Sequence, residues 1–129
     1  MATALIGGDK YKTELVVGSH HLLADETKED GGQDEGPEPP EFLDAALASC
    51  TAITLRMYAD KKNWPLEKVT VNVHHEKAEW KTVFKRSVQL DGDLTEVQRQ
   101  RLLEIANACP VHKILVNPIE VETSLLIIN

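Results

Sequence analysis

The amino-acid sequence predicts an α+β protein with a largely antiparallel sheet. Three observations lead there. Short runs in which apolar and polar residues alternate occur near the start of the chain and again after its middle. Between them lies one long stretch, from about Pro40 to Lys62, with helical patterning. The strand-like runs also cluster together instead of alternating with helices, which separates this pattern from a parallel α/β sheet. The order is β-β-β-α-β-β-α-α-β.

Thr3 to Ile6, Thr13 to Val17 and His20 to Ala24 are the first three strands, divided by Gly7-Gly8 and by Gly18, and they fit a small antiparallel meander. A loop rich in acid, glycine and proline follows, ending at Pro37-Glu38-Pro39-Pro40. Proline is tolerated in the first turn of a helix, and Glu38 and Glu41 complement the positive end of the helix dipole. Lys61 and Lys62 do the same at the other end, before Trp64-Pro65 stops the helix. From Phe42 to Leu55 this helix is apolar almost all round, which predicts a path through the protein interior. Its small residues, Ala45, Ala46, Ala48, Ser49 and Ala52, allow close backbone approach. In a chain this short, a second subunit is expected to help cover it.

Val69, Val71, Val73 and His75 alternate with Thr70, Asn72, His74 and Glu76, and Phe84, Arg86, Val88 and Leu90 alternate with Lys85, Ser87 and Gln89. Both runs predict half-buried strands. After a turn at Asp91-Gly92-Asp93, Thr95 fits an N-cap with Gln98 placed to complete a capping box. The helix it opens is expected to reach about Ala108 and to bury Val97, Leu102, Ile105 and Ala106. Pro110 starts a short third helix to about Leu115, and Glu120 to Ile128 is expected to form a final strand.

The chain has 129 residues, with 42% hydrophobic and 27% charged side chains, which fits one globular domain spanning 1–129. The net charge of −7 is local: Ala24 to Glu41 holds eight of the 21 acidic residues and one base, Lys28, so the remainder is neutral. A neutral body with an acidic loop has no basic stripe to follow phosphates, which argues against a nucleic-acid partner. The acidic spacing is not that of an EF-hand, and the loop is expected to be a solvated one. The longest nearly apolar run falls short of the ~20 residues that cross a bilayer. The N-terminus lacks a basic stretch ahead of an apolar core, so neither a membrane partner nor export is expected and the location is taken as cytoplasmic.

Two cysteines, Cys50 and Cys109, are the chemically active candidates. Neither has a Cys or His neighbour at zinc spacing, and His74-His75, adjacent on a strand, point to opposite faces; no metal site is expected. In a cytosolic protein the two sulfurs are thiols or a redox pair. Cys50, in the middle of an apolar helix, is by itself an inert core residue unless a cation or donor reaches it. Cys109 stands at a helix break, with His112 and Lys113 three and four residues on, where both could favour its thiolate.

Several segments resemble the OsmC/Ohr family. Pro40-Glu41-Phe42-Leu43-Asp44-Ala45-Ala46-Leu47-Ala48-Ser49-Cys50-Thr51 is similar to the family's first cysteine motif, and Cys109-Pro110-Val111-His112-Lys113 to its second. His20-His21-Leu22-Leu23-Ala24-Asp25-Glu26, Gly36-Pro37-Glu38-Pro39, Leu55-Arg56-Met57-Tyr58-Ala59 and Trp64-Pro65-Leu66 extend the likeness over nearly the whole chain.

The resemblance implies an OsmC-like fold, an intertwined homodimer with its two central helices at the heart. It implies a thiol peroxidase that reduces small organic hydroperoxides without metal, haem or flavin. Cys50 would attack the peroxide and become a sulfenic acid, and Cys109 would resolve it as a disulfide. A dithiol reductant, such as a lipoylated protein, would then restore the thiols. The alternative is a non-enzymatic OsmC-like stress or ligand-binding dimer. Glu41, His20, His112 and Lys113 are candidate supporting residues. The chain departs from the family pattern in two places. None of its four arginines precedes Arg56, so the N-terminal strands offer only Lys10 and Lys12; and Pro40 stands where a glutamate is usual. Glu41, nine residues before Cys50, is about 13.5 Å away along a helix and cannot touch Cys50 of its own chain.

Overall fold

The computed structural model describes residues 1–127. Its elements are β1 (Ala2–Ile6), β2 (Thr13–Val17), β3 (His20–Ala24), α1 (Pro39–Lys62), β4 (Leu66–Lys77), β5 (Thr82–Gly92), α2 (Glu96–Ile105), a 3-10 turn (Ala106–Ala108) and α3 (Pro110–Leu115). The α+β order therefore holds up to α3. The expected final strand does not form: residues 120–127 are irregular, and Val121, Leu125, Leu126 and Ile127 are exposed. A strand requires a neighbour for its backbone N–H and C=O groups, and apolar patterning alone supplies none. Ile128, the last residue of that expected strand, lies outside the described residues. Among the described residues no helix is long and apolar enough to cross a membrane.

The chain divides into two compact units, one made of Met1–Ala46 with Val73–Lys85 and the other beginning with Leu47–Asn72 and resuming at Arg86. In the first, β1, β2 and β3 form an antiparallel meander in which Thr13 faces both Ile6 and Ala24. Gly18, at φ +61°, takes the left-handed position of the tight turn between β2 and β3.

The acidic loop is organised by Asp25, which is buried with Ala24 while Lys28, Glu29 and Asp30 are exposed. Its carboxylate accepts backbone N–H groups from Glu26 (2.7 Å), Gln33 (3.3 Å) and Glu35 (3.1 Å). Burial pushes its carboxyl up, but these three donors, with Lys12 nearby, hold it below the usual value. At the start of α1, Glu41 Oε1 accepts the Glu38 N–H at 3.0 Å. One turn on, Asp44 Oδ1 meets His75 Nδ1 at 2.7 Å, while His74 turns the other way to Glu76. The two adjacent histidine rings thus point to opposite faces, as the period of a strand requires.

The second unit holds the main core. Along α1 it buries Leu47, Thr51, Leu55 and Ala59, one residue per turn. Leu55 and Ala59 pack with Leu66, Leu94, Leu102 and Ala106, flanked by Tyr58, Trp64, Val69, Val88, Leu90 and Ile105. The apolar stretch Phe42–Leu55 is therefore covered on one face only; Leu43 is 49% and Ile53 55% exposed within the single chain.

Arginine forks fasten the strand ends to this core. Arg56 lies 3.5 Å from Asp60, yet its shorter bonds go to the carbonyls of Leu66 (2.7 Å) and Glu67 (3.1 Å). Arg99 donates to the carbonyls of Leu90 (2.8 Å) and Gly92 (3.0 Å). Gly92 has φ +142°, and a Cβ there would lie 2.1 Å from the Pro65 carbonyl oxygen, so only glycine fits.

Thr95 and Gln98 close the expected capping box: Thr95 Oγ1 accepts the Gln98 N–H (3.1 Å) and Gln98 Oε1 the Thr95 N–H (2.9 Å). The helix stops at Ile105 and tightens into the 3-10 turn, where an α-helix to Ala108 was expected. Val97, expected in the core, is not buried. It is 79% exposed, because the core stripe of α2 runs through Leu102 and Ala106 and Val97 lies off it.

Thr95→Ala should lower the unfolding free energy by ~1 kcal/mol, and Leu55→Ala by roughly 2–5 kcal/mol, both read from urea titrations. Equal losses would show that the cap holds more than α2. Asp25→Ala should leave three backbone donors without their acceptor and reduce hydrogen-exchange protection between Glu26 and Glu35. Because the folded pKa is depressed, the wild-type contribution is complete above the ordinary carboxyl range and is lost as pH falls through the depressed value. Protection should therefore persist through that range and disappear only below it; loss at ordinary carboxyl pKa would show that the three bonds do not favour the ionised form.

Candidate active site

Two segments of the second unit meet at the thiols. α1 presents Cys50 and the fully buried Thr51 side by side, with Thr54 one turn further on. The 3-10 turn brings in Cys109, which is also fully buried and stands at the N-cap of α3, with Pro110 opening the helix behind it. The break is what a Cys-Pro pair dictates: the residue before proline is driven to extended backbone, and Cys109 has φ −60° and ψ 130°.

The two cysteines stand 2.9 Å apart, both as free thiols. Since an S–S bond is about 2.05 Å long, the two sulfurs lie close to bonding distance. Cys50 remains partly open to solvent.

The pair is electrostatically unequal. Burial and donation to Cys109 push the Cys50 thiol up, against the opposing influence of the Val111 N–H and the Thr54 hydroxyl. Burial alone would also raise Cys109. There, however, the hydrogen bond from Cys50, the His112 N–H, the Thr51 hydroxyl and the Val111 N–H together bring the thiol below its usual value. These amides face the sulfur without closing a formal cap. Of the two, Cys109 is the sulfur that gives up its proton more readily, while Cys50 donates to it.

Arg86, on β5, supplies the polar frame of this site. Its Nη1 donates to Thr51 Oγ1 (3.1 Å) and to the Ala106 carbonyl (3.3 Å), and its Nη2 to Asn107 Oδ1 (3.0 Å) and His112 Nδ1 (3.3 Å). Thr51 in turn donates to the Leu47 carbonyl at 2.7 Å. A guanidinium has no acceptor, so His112 Nδ1 must carry a lone pair and the ring is neutral. Burial and the Arg86 charge both lower the His112 pKa, in agreement. His112 therefore helps the sulfur through its backbone N–H and not through a ring charge.

The other candidates lie elsewhere. Lys113 is exposed and reaches Cys109 through its own N–H, which donates to the Cys109 carbonyl at 3.2 Å. Glu41 and His20 belong to the first unit, where Glu41 accepts at the start of α1 and His20 is exposed on β3. Arg86 was not singled out from the sequence. The available signal was an arginine in the inward-facing set Phe84, Arg86, Val88, Leu90, where a charge demands buried partners. In the acidic loop, Glu26, Asp30 and Glu38 bring carboxylate oxygens within 4.8 Å of one another. A hydrogen bond to Glu26, with burial and the surrounding negative charges, holds the Glu38 carboxyl above its usual value, because protonated Glu38 is the donor and Glu26 the acceptor.

The family model described as OsmC-like protein matches residues 32–124, a span that contains both cysteines and Arg86. No curated protein matches the chain. Several solved structures share the fold. An OsmC-like protein from Mycoplasma pneumoniae is 18% identical, with 89% of this chain and 85% of that one covered and a TM-score of 0.77. An organic hydroperoxide resistance protein OsmC from Legionella pneumophila is 24% identical, with 90% and 88% covered and a TM-score of 0.62. An organic hydroperoxide resistance protein from Elizabethkingia anophelis is 22% identical, with 92% and 89% covered and a TM-score of 0.68. At these identities the structural likeness establishes the fold. Together with the family model, it shows that the chain belongs to the OsmC-like family.

Proposed function

We propose that the protein is a thiol-dependent peroxidase that reduces small organic hydroperoxides with Cys50 and Cys109. The observation that carries this reading is the pair of free thiols 2.9 Å apart, one partly open to solvent and one held as the better anion. Two of the similar proteins are named for organic hydroperoxide resistance, which supports the same chemistry.

Cys50 is the attacking sulfur because peroxide can reach it. As its sulfur bonds to the terminal oxygen of the hydroperoxide, its proton passes to Cys109 and the O–O bond breaks. The alkoxide takes up a proton and leaves as the alcohol, and Cys50 becomes a sulfenic acid. Cys109, returned to its thiolate, attacks that sulfur and displaces hydroxide, which leaves as water. The net change is two thiols and one hydroperoxide to one disulfide, one alcohol and one water. A dithiol reductant completes the cycle by thiol–disulfide exchange.

The working unit in this reading is a homodimer. Leu43, Ile53 and Met57 on α1 and the apolar tail Val121–Ile127 are exposed in the single chain, and a second copy would cover them. Ala48 and Ala52 on the same helix leave room for a close backbone approach.

Stoichiometric cumene hydroperoxide should remove two titratable thiols per wild-type chain; a chain that keeps both would be the non-enzymatic dimer. Cys50→Ser should abolish peroxide consumption, since an alcohol at its ordinary pKa does not replace the thiol. Cys109→Ser should react once and leave a sulfenic acid that dimedone traps. If both variants fail alike with no trapped species, the roles are wrong. Sedimentation should give a dimer at micromolar concentration, and Ala52→Glu should prevent its assembly by placing an unpaired charge against packed backbone. A folded, dimeric Ala52→Glu would place that helix face outside the interface.

A further inference from the structure

We propose that Arg86 is the positioning residue of the thiol pair, holding the Thr51 hydroxyl beside Cys109 and keeping the His112 ring neutral. The proposal deepens the peroxidase reading and rests on it for its catalytic meaning.

The argument begins with what an arginine head can do. All its polar hydrogens are donors, so each atom it touches must accept. Four residues accept from Arg86, and each flanks one of the thiols. Thr51 follows Cys50 directly. Ala106 and Asn107 precede Cys109 in the 3-10 turn, and His112 closes the first turn of α3 behind it. One side chain on β5 thus ties together the segments from which the pair is assembled.

Two chemical consequences follow. Thr51 has one hydrogen, and Arg86 already occupies a lone pair of its oxygen. That hydrogen goes to the Leu47 carbonyl here, and a turn of the hydroxyl would bring it to the Cys109 sulfur beside it while Arg86 still donates to the oxygen. A growing charge on that sulfur finds a hydroxyl free to rotate toward it as a donor. His112, in turn, is locked as the tautomer with hydrogen on Nε2, because Arg86 fills Nδ1. It cannot become a second cation without breaking that contact.

The titratable and charged groups facing Cys109 are then Cys50 from α1, Arg86 from β5 by way of Thr51, and the neutral His112 from α3. The 3-10 turn contributes the uncharged Asn107 amide to the same frame. Arg86 is the cation of this set, and it acts through a hydroxyl instead of by direct contact.

The test needs no peroxide. In Arg86→Gln, the first ionisation of the thiol pair, followed by thiolate ultraviolet absorbance, should move up by about one pH unit, a tenfold fall in the thiolate ratio. The His112 ring, followed by NMR, should titrate at higher pH, toward its ordinary ~6.5. Arg86→Lys keeps the charge and loses the fork, so it should restore less than half of either shift. Thr51→Val should raise the thiol ionisation and leave the His112 titration where it was; this variant also serves if Arg86→Gln does not fold. Unchanged titrations in folded Arg86→Gln, or an unchanged thiol ionisation in folded Thr51→Val, would overturn the proposal. If the titrations shift as stated while the wild type consumes no cumene hydroperoxide, the peroxidase reading fails and the positioning role of Arg86 stands.

Discussion

Leu47, Thr51, Leu55 and Ala59 form the seam on which the second unit is built. Three of the four are apolar, and Leu55 and Ala59 pack against Leu66 of β4 and Leu102 of α2. The fourth is a hydroxyl with no solvent exposure, and a buried hydroxyl without partners costs on the order of 1–3 kcal/mol. Thr51 therefore needs both an acceptor and a donor. The Leu47 carbonyl one turn back is the acceptor, and the Arg86 guanidinium is the donor. Satisfying one residue of the seam thus brings a charged group from β5 to the place where the two sulfurs meet.

That arrangement accounts for the asymmetry between the cysteines. Both are pushed up by burial, so burial does not distinguish them. The distinction comes from what each is offered. Cys50 sits mid-helix, where its own backbone N–H is committed to the helix, and its sulfur donates to its neighbour. Cys109 sits at a helix start, where backbone N–H groups have no intrahelical partner and turn toward the sulfur. Proline at the next position enforces that start, so the Cys-Pro order has electrostatic as well as conformational consequences.

Two of the three remaining arginines show the same economy of construction. Arg56 and Arg99 each fork onto two successive or nearby carbonyls at strand ends, where the ladder leaves acceptors over. Asp25 performs the complementary task in the acidic loop, gathering backbone donors that no strand or helix uses. In both units, single charged side chains complete backbone hydrogen bonding where regular structure stops.

The sequence by itself determined the elements whose causes are local. Strand alternation, the prolines and lysines bracketing α1, the Thr95–Gln98 box and the Cys109-Pro110 break all act within a few residues, and each appears where the pattern placed it. The two cysteines were legible as a pair through the motifs around them. What depended on distant neighbours was not legible. Residues 120–127 have the composition of a strand but no ladder partner, and Val97 has an apolar side chain on the wrong side of α2. Arg86 lay in plain view in an alternating strand, yet its partners Thr51, Asn107 and His112 are 35, 21 and 26 residues away. Only the tertiary structure decided where those partners lie, because hydrogen-bond geometry is a property of atoms brought together by packing and not of spacing along the chain.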